Sequence, residues 1–176
     1  MERQFGKLRL ELMQGDITRQ SDLDAVVNAA NAQLTTGGGV AGAIHRAAGP
    51  QLDEACRPLA PIEPGQAVST DAFGLPNQRL IHCLGPVYGV DEPSDQLLAA
   101  CYRNALKEAG QHQLGSVGFP AISTGAFGYP VREAAGIALQ TVVSEGSVIE
   151  GLTLVRFVLF SNEDLAVHEE ILARMA

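Results

Sequence analysis

The chain has 176 residues, 46% hydrophobic, 18% charged and 5% aromatic, with 19 Gly, 9 Pro and no Trp, which suits one packed domain over residues 1–176 and excludes a disordered or collagen-like chain. No uncharged apolar run approaches the roughly 18 to 20 residues of a membrane-crossing helix, and the start, MERQFGKLRLELMQ, reads as neither signal peptide nor anchor. Twelve Lys and Arg against twenty Asp and Glu give a net charge of −8, with no basic stripe for nucleic acid to grip by counterion release.

Leu8, Leu10 and Leu12 alternate with Arg9 and Glu11, the period of a half-buried strand that ends near Gln14, before Gly15-Asp16. Ala25-Val26-Val27 is a short apolar run, the pattern of a strand buried on both faces. It opens into a loop holding Asn28, Asn31 and three consecutive glycines, Gly37, Gly38 and Gly39. From Val40 to Ala48 small residues predict a helix stopped by Gly49-Pro50. The Pro-rich stretch 58–64 reads as a surface connection, and 66–73 and 79–84 as a hairpin or neighbouring strands.

Ser94 then reads as the N-cap of a helix with Leu98, Cys101, Tyr102, Ala105, Leu106 and Ala109 on its inner face, closed by Gly110. A strand over 116–119 leads into a second glycine-containing loop, 122–129, and Pro130 suits the first turn of the next helix. Residues 153–160 form the most apolar strand, and a last helix carries Leu165, His168, Ile171, Leu172 and Met175 on one side. Strands alternating with helices predict a three-layer α/β/α sandwich with a mixed, largely parallel sheet.

In such sheets ligands bind beyond the carboxyl ends of the strands. Both glycine loops precede helices, so each can aim backbone N–H groups at an anion, and two cradles suggest a diphosphate. The bland alternative is a pair of turns that need positive φ. Gly37 to Gly42 formally satisfies the dinucleotide fingerprint GxGxxG, but it lies far from its strand, and about 20 positions later, where an acidic residue should end the next strand, comes the Pro-rich stretch 58–64. A nicotinamide-dependent oxidoreductase is therefore the weaker reading.

Asn28 and Asn31 place amides where ribose hydroxyls could be held, or simply form a turn. Asp16 can accept from an exocyclic amine such as that of adenine, or cap a turn. Phe160 can stack on a base, although a phenylalanine reads first as core. His82 and His168 read as core and packing residues, and His45, inside a helix, as a structural hydrogen-bonding residue. Cys56, Cys83 and Cys101 form no CxxC pair and have no His at metal-ligand spacing, so they read as reduced, buried thiols of a cytoplasmic protein without a metal.

Gly15-Asp16-Ile17-Thr18, Val27-Asn28-Ala29-Ala30-Asn31, Gly37-Gly38-Gly39-Val40, Ile44 to Pro50 and Pro120-Ala121-Ile122-Ser123-Thr124-Gly125 occur in the order and spacing of the macrodomain family, which the chain resembles over essentially its whole length. The resemblance implies an ADP-ribose-binding α/β/α sandwich that needs no cofactor, and many such domains remove ADP-ribose from proteins or act on O-acetyl-ADP-ribose. By resemblance Asp16 and the Ile17 backbone take adenine, Phe160 packs on it, and Gly37, Gly38, Gly39 and Val40 wrap the diphosphate with Ser123, Thr124, Gly125, Ala126 and Phe127. Asn31 holds the distal ribose and orients water, with Tyr129 or Phe127 packed beside that ribose. Hydrolases of the MacroD type carry Asp where this chain has Ala41, and some other members carry His where it has Thr36. The resemblance thus implies either a slow hydrolase of ADP-ribosyl esters or a reader of ADP-ribose. The implied partner is ADP-ribose or a mono-ADP-ribosylated protein, met by a monomer away from membranes.

Overall fold

The computed structural model describes residues 1–176. Seven strands, β1 (Glu2–Phe5), β2 (Leu8–Gln14), β3 (Ala25–Ala29), β4 (Ala67–Asp71), β5 (Arg79–Cys83), β6 (Ser116–Phe119) and β7 (Leu154–Leu159), form one sheet in the order β1-β2-β7-β6-β3-β5-β4. The five strands from β2 across to β5 run parallel. At the two edges β1 and β4 pair antiparallel with β2 and β5. Five helices complete the mixed α/β fold: α1 (Gly39–Ala48), α2 (Gln51–Cys56), α3 (Ser94–Gln111), α4 (Val131–Gly146) and α5 (Asn162–Arg174).

The alternation of side chains along each strand sorts them between two cores. Ala25 and Val27 of β3, Val117 and Phe119 of β6, and Val155 and Phe157 of β7 pack with Leu98, Tyr102, Leu106, Leu139 and Val142 of α3 and α4. Val26, Leu80, Leu154 and Val158 face the other way, onto Ile44 and Ala48 of α1 and Leu52 of α2. The sheet is therefore covered on both faces, as its largely apolar central strands require. No helix is long and apolar enough to cross a membrane.

Several local expectations need correction. The edge strand β1 was not legible, because Glu2, Arg3 and Gln4 give it no apolar face. Helix α2 and a following turn of 3-10 helix over Arg57–Leu59 occupy part of what reads as open connection. Ser94 is the first residue inside α3, and its hydroxyl donates to the Asp91 carbonyl instead of capping the helix, which ends one residue past Gly110. Phe160 is 93% exposed and not a core residue, because it lies one residue beyond β7, past the point where alternation would turn it inward.

Candidate functional site

Because five neighbouring strands are parallel, their carboxyl ends share one edge of the sheet. Along that crest the loops follow in the order of the strands: Asp16 after β2, Phe160 after β7, residues 120–129 after β6, residues 30–38 after β3, and Gly85 after β5.

At β2 the chain turns sharply, and the Gly15 amide donates to the Leu159 carbonyl at 3.1 Å. Asp16 caps the short 3-10 helix Ile17–Arg19, its Oδ1 accepting from the Thr18 amide at 2.9 Å and from the Thr18 hydroxyl at 2.6 Å. Those bonds to the Thr18 side chain and backbone hold its carboxyl below the usual range. The second oxygen, Oδ2, meets only the exposed Arg19 guanidinium at 3.8 Å. Ile17 is buried, so its backbone is what it offers the crest.

The first glycine loop starts from Asn31. Leu34, held at φ +56° and 1% exposed, folds the loop back under itself. Asn31 Nδ2 donates to the Thr35 carbonyl at 3.0 Å, and Asn31 Oδ1 accepts from the Thr35 amide at 3.1 Å. This pair of bonds fixes the carboxamide plane and leaves one Nδ2 proton free. Gly37 and Gly38 donate their amides to no protein group. Gly39, in the left-handed region at φ +56°, turns the chain into α1, whose first amides also point out unpaired.

Gly42 is the packing key of this loop. A Cβ there would overlap the Gly37 carbonyl oxygen, so only glycine lets the loop lie against α1. A Cβ at Gly37 would in turn sit 3.5 Å from Asn31 Nδ2 and 3.9 Å from Ala41 Cβ. Asn31, Gly37 and Ala41 thus converge on one point, and Ala41 brings only a methyl group to it.

The second loop is anchored from α3: the Ile122 amide donates to the Tyr102 hydroxyl at 3.2 Å. Ser123 takes φ +69°, and its carbonyl accepts from Tyr129 at 2.9 Å. Gly125, Ala126 and Phe127 keep their amides free of protein partners, and Ser123 Oγ is buried without one. Three adjacent free N–H groups form a concavity suited to an anion. Thr124 closes the loop on itself through the Ala121 carbonyl at 2.8 Å. Tyr129 is 4% exposed and packs on Tyr88 in a tilted arrangement, 4.7 Å between centroids and 55° between planes, while Phe127 is half-buried against the α1 side of the sheet.

Behind the crest lies a buried polar floor. Asn28 is fully buried, and its Nδ2 lies 3.1 Å from His82 Nδ1. Since the amide is the donor, the imidazole carries its proton on Nε2 and donates to Thr70 Oγ1 at 3.1 Å, while that hydroxyl donates to the Asp71 carbonyl. Burial, with His45 nearby, pushes the His82 pKa down to about 3, so the ring is neutral. His45 places Nδ1 3.1 Å from Asp53 Oδ1, tying α1 to α2, and its buried Nε2 has no partner. His168 is buried under α5 with Nδ1 on the Asp164 carbonyl. None of the three imidazoles is an exposed base at the crest. Cys56, Cys83 and Cys101 are buried free thiols, and no cluster of His, Cys, Asp or Glu is arranged to hold a metal.

The structure therefore gathers Asp16, Phe160, both glycine loops and Asn31 on one edge, with Asn28 one layer beneath. The profile of the macro domain matches residues 27–138, from within β3 into α4. The chain belongs to the macro domain family. A macro domain-containing protein of Chlorobaculum tepidum is 47% identical over 93% of this chain and 95% of its own. A Klebsiella pneumoniae protein named O-acetyl-ADP-ribose deacetylase is 46% identical over 93% of this chain and 95% of its own. Among solved structures, the Oceanobacillus iheyensis macrodomain with ADP superposes with a TM-score of 0.92 at 41% identity, over 98% of this chain and 94% of that one. The Trypanosoma brucei macrodomain in complex with ADP-ribose gives 0.85 at 36% identity, over 93% of this chain and 68% of that one.

Sequence reasoning passed over Gly85 and Tyr88 in this macrodomain, and weighed Gly42 only as part of a dinucleotide fingerprint. A Cβ at Gly85 would overlap Ser123 Oγ, so this glycine brings the loop after β5 against the second cradle. The only signal for it was a Gly-Pro pair directly after a strand. For Gly42, the last glycine of the GxGxxG match, close packing of backbone on helix was the relevant meaning, and not the dinucleotide one.

Proposed function

We propose that this macrodomain binds ADP-ribose along the crest and slowly hydrolyses ADP-ribosyl esters. Adenine lies at Asp16, the Ile17 backbone and Phe160, the diphosphate between residues 37–40 and 123–127, and the distal ribose at Asn31. The observation that carries the reading is the order of these groups. From β2 to β3 is three strand spacings, roughly 14 Å, and along it come an acceptor beside an exposed aromatic ring, then one cradle of free N–H groups after β6, then the other after β3 together with the fixed amide of Asn31. That is the order of an amine-bearing base, a diphosphate and a second ribose. The Klebsiella relative's name and the ADP-ribose held by the Trypanosoma structure support the same ligand class.

The substrates are then mono-ADP-ribosylated Glu or Asp side chains and O-acetyl-ADP-ribose. When a carboxylate leaves the anomeric carbon, charge builds on a good leaving group, so holding water in place contributes most. Asn31, its plane set by Thr35, holds that water together with an oxygen of the bound diphosphate. General-base assistance typically contributes about 10²- to 10⁴-fold, and the Ala41 methyl supplies none, which makes turnover slow. The same methyl is the one observation that favours a reader that binds without turnover. The enzyme acts without cofactor, as a cytoplasmic monomer.

The test has two parts. Calorimetry with ADP-ribose should show one site per chain. Deacetylation of O-acetyl-ADP-ribose should then be lost in Asn31→Ala, while its ADP-ribose affinity falls by no more than about tenfold, the loss of one hydrogen bond to a ribose hydroxyl. Full activity in that variant removes Asn31 from the mechanism, and binding without any deacetylation or ester release by the wild type leaves the reader.

A further inference from the structure

Arg156 stands in the middle of β7 on the α1 face, between Leu154 and Val158, where alternation calls for an apolar side chain. Its side chain is only 12% exposed. Nε donates to Glu11 Oε2 at 2.7 Å, and the two terminal nitrogens grip the Asp22 carboxylate at 2.8 Å each. One of them also donates to Gln20 Oε1 at 3.0 Å. Gln20 is 5% exposed, and its Nε2 donates to the Asp16 backbone carbonyl at 2.9 Å. The Gln20 carbonyl is in turn held by Asn77 Nδ2 at 2.8 Å.

This chain of contacts has a direction. With the guanidinium on its oxygen, the Gln20 carboxamide can present only its NH2 to Asp16. Asp16 is thus held at two points, its carbonyl by Gln20 and its Oδ1 by Thr18, and Oδ2 has no hydrogen-bond partner, only an exposed arginine at 3.8 Å. With Asp22 exposed and Arg156 and Glu11 half-buried, these ion pairs contribute little to stability, but they fix geometry where their hydrogen bonds end. Here they end on the residue that faces the ligand.

We infer that Gln20 and Arg156 are positioning residues for base recognition: Arg156 orients the Gln20 carboxamide, and Gln20 sets the Asp16 turn so that Oδ2 meets an exocyclic amine. This rests on the placing of adenine at Asp16. The ligand class selected is a diphosphate of a 6-amino-purine nucleoside, and a 6-oxo-purine, which presents a carbonyl oxygen to the carboxylate, is rejected.

Calorimetry with ADP-ribose and with its inosine analogue reads the ratio of the two affinities. The wild type should prefer ADP-ribose by at least about tenfold, the range of one hydrogen bond to a charged group. Asp16→Ala should reduce that preference to within about twofold. Gln20→Leu, which removes both bonds, and Gln20→Glu, which keeps an acceptor for Arg156 but faces the Asp16 carbonyl with a carboxylate, should each reduce it to about threefold or less. A Gln20 that merely supports the fold would lower the melting temperature and both affinities together and leave the ratio intact, which overturns the inference. If Gln20→Leu fails to fold, Gln20→Glu carries the same comparison. A wild type without preference refutes the adenine placement itself, whereas preference lost in Asp16→Ala but kept in both Gln20 variants refutes only the role of Gln20 and Arg156.

Discussion

Replacing Gly42 with alanine perturbs the first cradle without touching a ligand-facing atom. The new methyl would overlap the Gly37 carbonyl oxygen and approach Arg46 at 3.0 Å. The arginine side chain can swing away, but the carbonyl belongs to the loop and has to retreat by about 1 Å to regain contact distance. Overpacking of this kind costs about 1–3 kcal/mol of stability, offset in part by the roughly 0.5–1 kcal/mol that alanine gains over glycine inside a helix. The free amides of Gly37 and Gly38 move with the carbonyl. Hydrogen bonds to a charged group contribute about 1.5–3 kcal/mol each, so losing one lowers ADP-ribose affinity at least tenfold. A shift of about 1 Å at the reacting end lowers turnover by roughly 10²-fold. Calorimetry with ADP-ribose, beside a thermal melt to establish folding, reads the first figure directly. A folded Gly42→Ala protein with wild-type affinity would refute the assignment of the Gly37–Gly38 amides to the diphosphate.

Gly136, inside α4, has no neighbouring atom within 4 Å of where an added methyl would sit, so Gly136→Ala should gain about 0.5–1 kcal/mol, raise the melting temperature by roughly 1–4 °C, and leave affinity unchanged; a fall in melting temperature would contradict the packing described for that helix. Ala41→Asp brings a carboxylate to the point where Asn31 and Gly37 converge, and release of ADP-ribose from a Glu-linked substrate should rise at least tenfold, within the usual contribution of a general base; an unchanged rate would show that water activation does not limit turnover. His82 should make the fold sensitive to acid. The unfolded chain takes up a proton at the ordinary value of 6.5, whereas the folded ring stays neutral down to about 3, so its share of stability is complete above 6.5 and is lost on acidification through that window. Urea titrations from pH 7 to pH 4 should show a loss approaching about 1 kcal/mol per pH unit, flattened in His82→Gln, and equal slopes in the two proteins would contradict the neutral buried ring.

The parallel strands were legible because Ala25-Val26-Val27 and the apolar run ending at Leu159 are buried on both faces, and such runs mark themselves in any chain. The glycine loops and Asn31 were legible because their residues are rare in that density and stand directly between strand and helix. β1 was not, since an exposed edge strand carries no periodic apolar signal. Phe160 misled the reading for a related reason: it continues an apolar run, and only the position of the strand's last hydrogen bond decides that it lies outside. The Arg156–Gln20–Asp16 chain joins residues 136 and 4 positions apart in sequence. Its members are ordinary polar residues, and only the pairing of β2 with β7 brings them together.

The most direct measurement is release of free ADP-ribose over time from a glutamate-linked mono-ADP-ribosylated protein, first with the macrodomain in excess and then at catalytic amounts. Several turnovers per macrodomain, slow but complete, are predicted for a site that positions water with Asn31 and lacks a base at Ala41. No release at either ratio, from protein shown by calorimetry to bind ADP-ribose, would contradict the hydrolase and leave a reader.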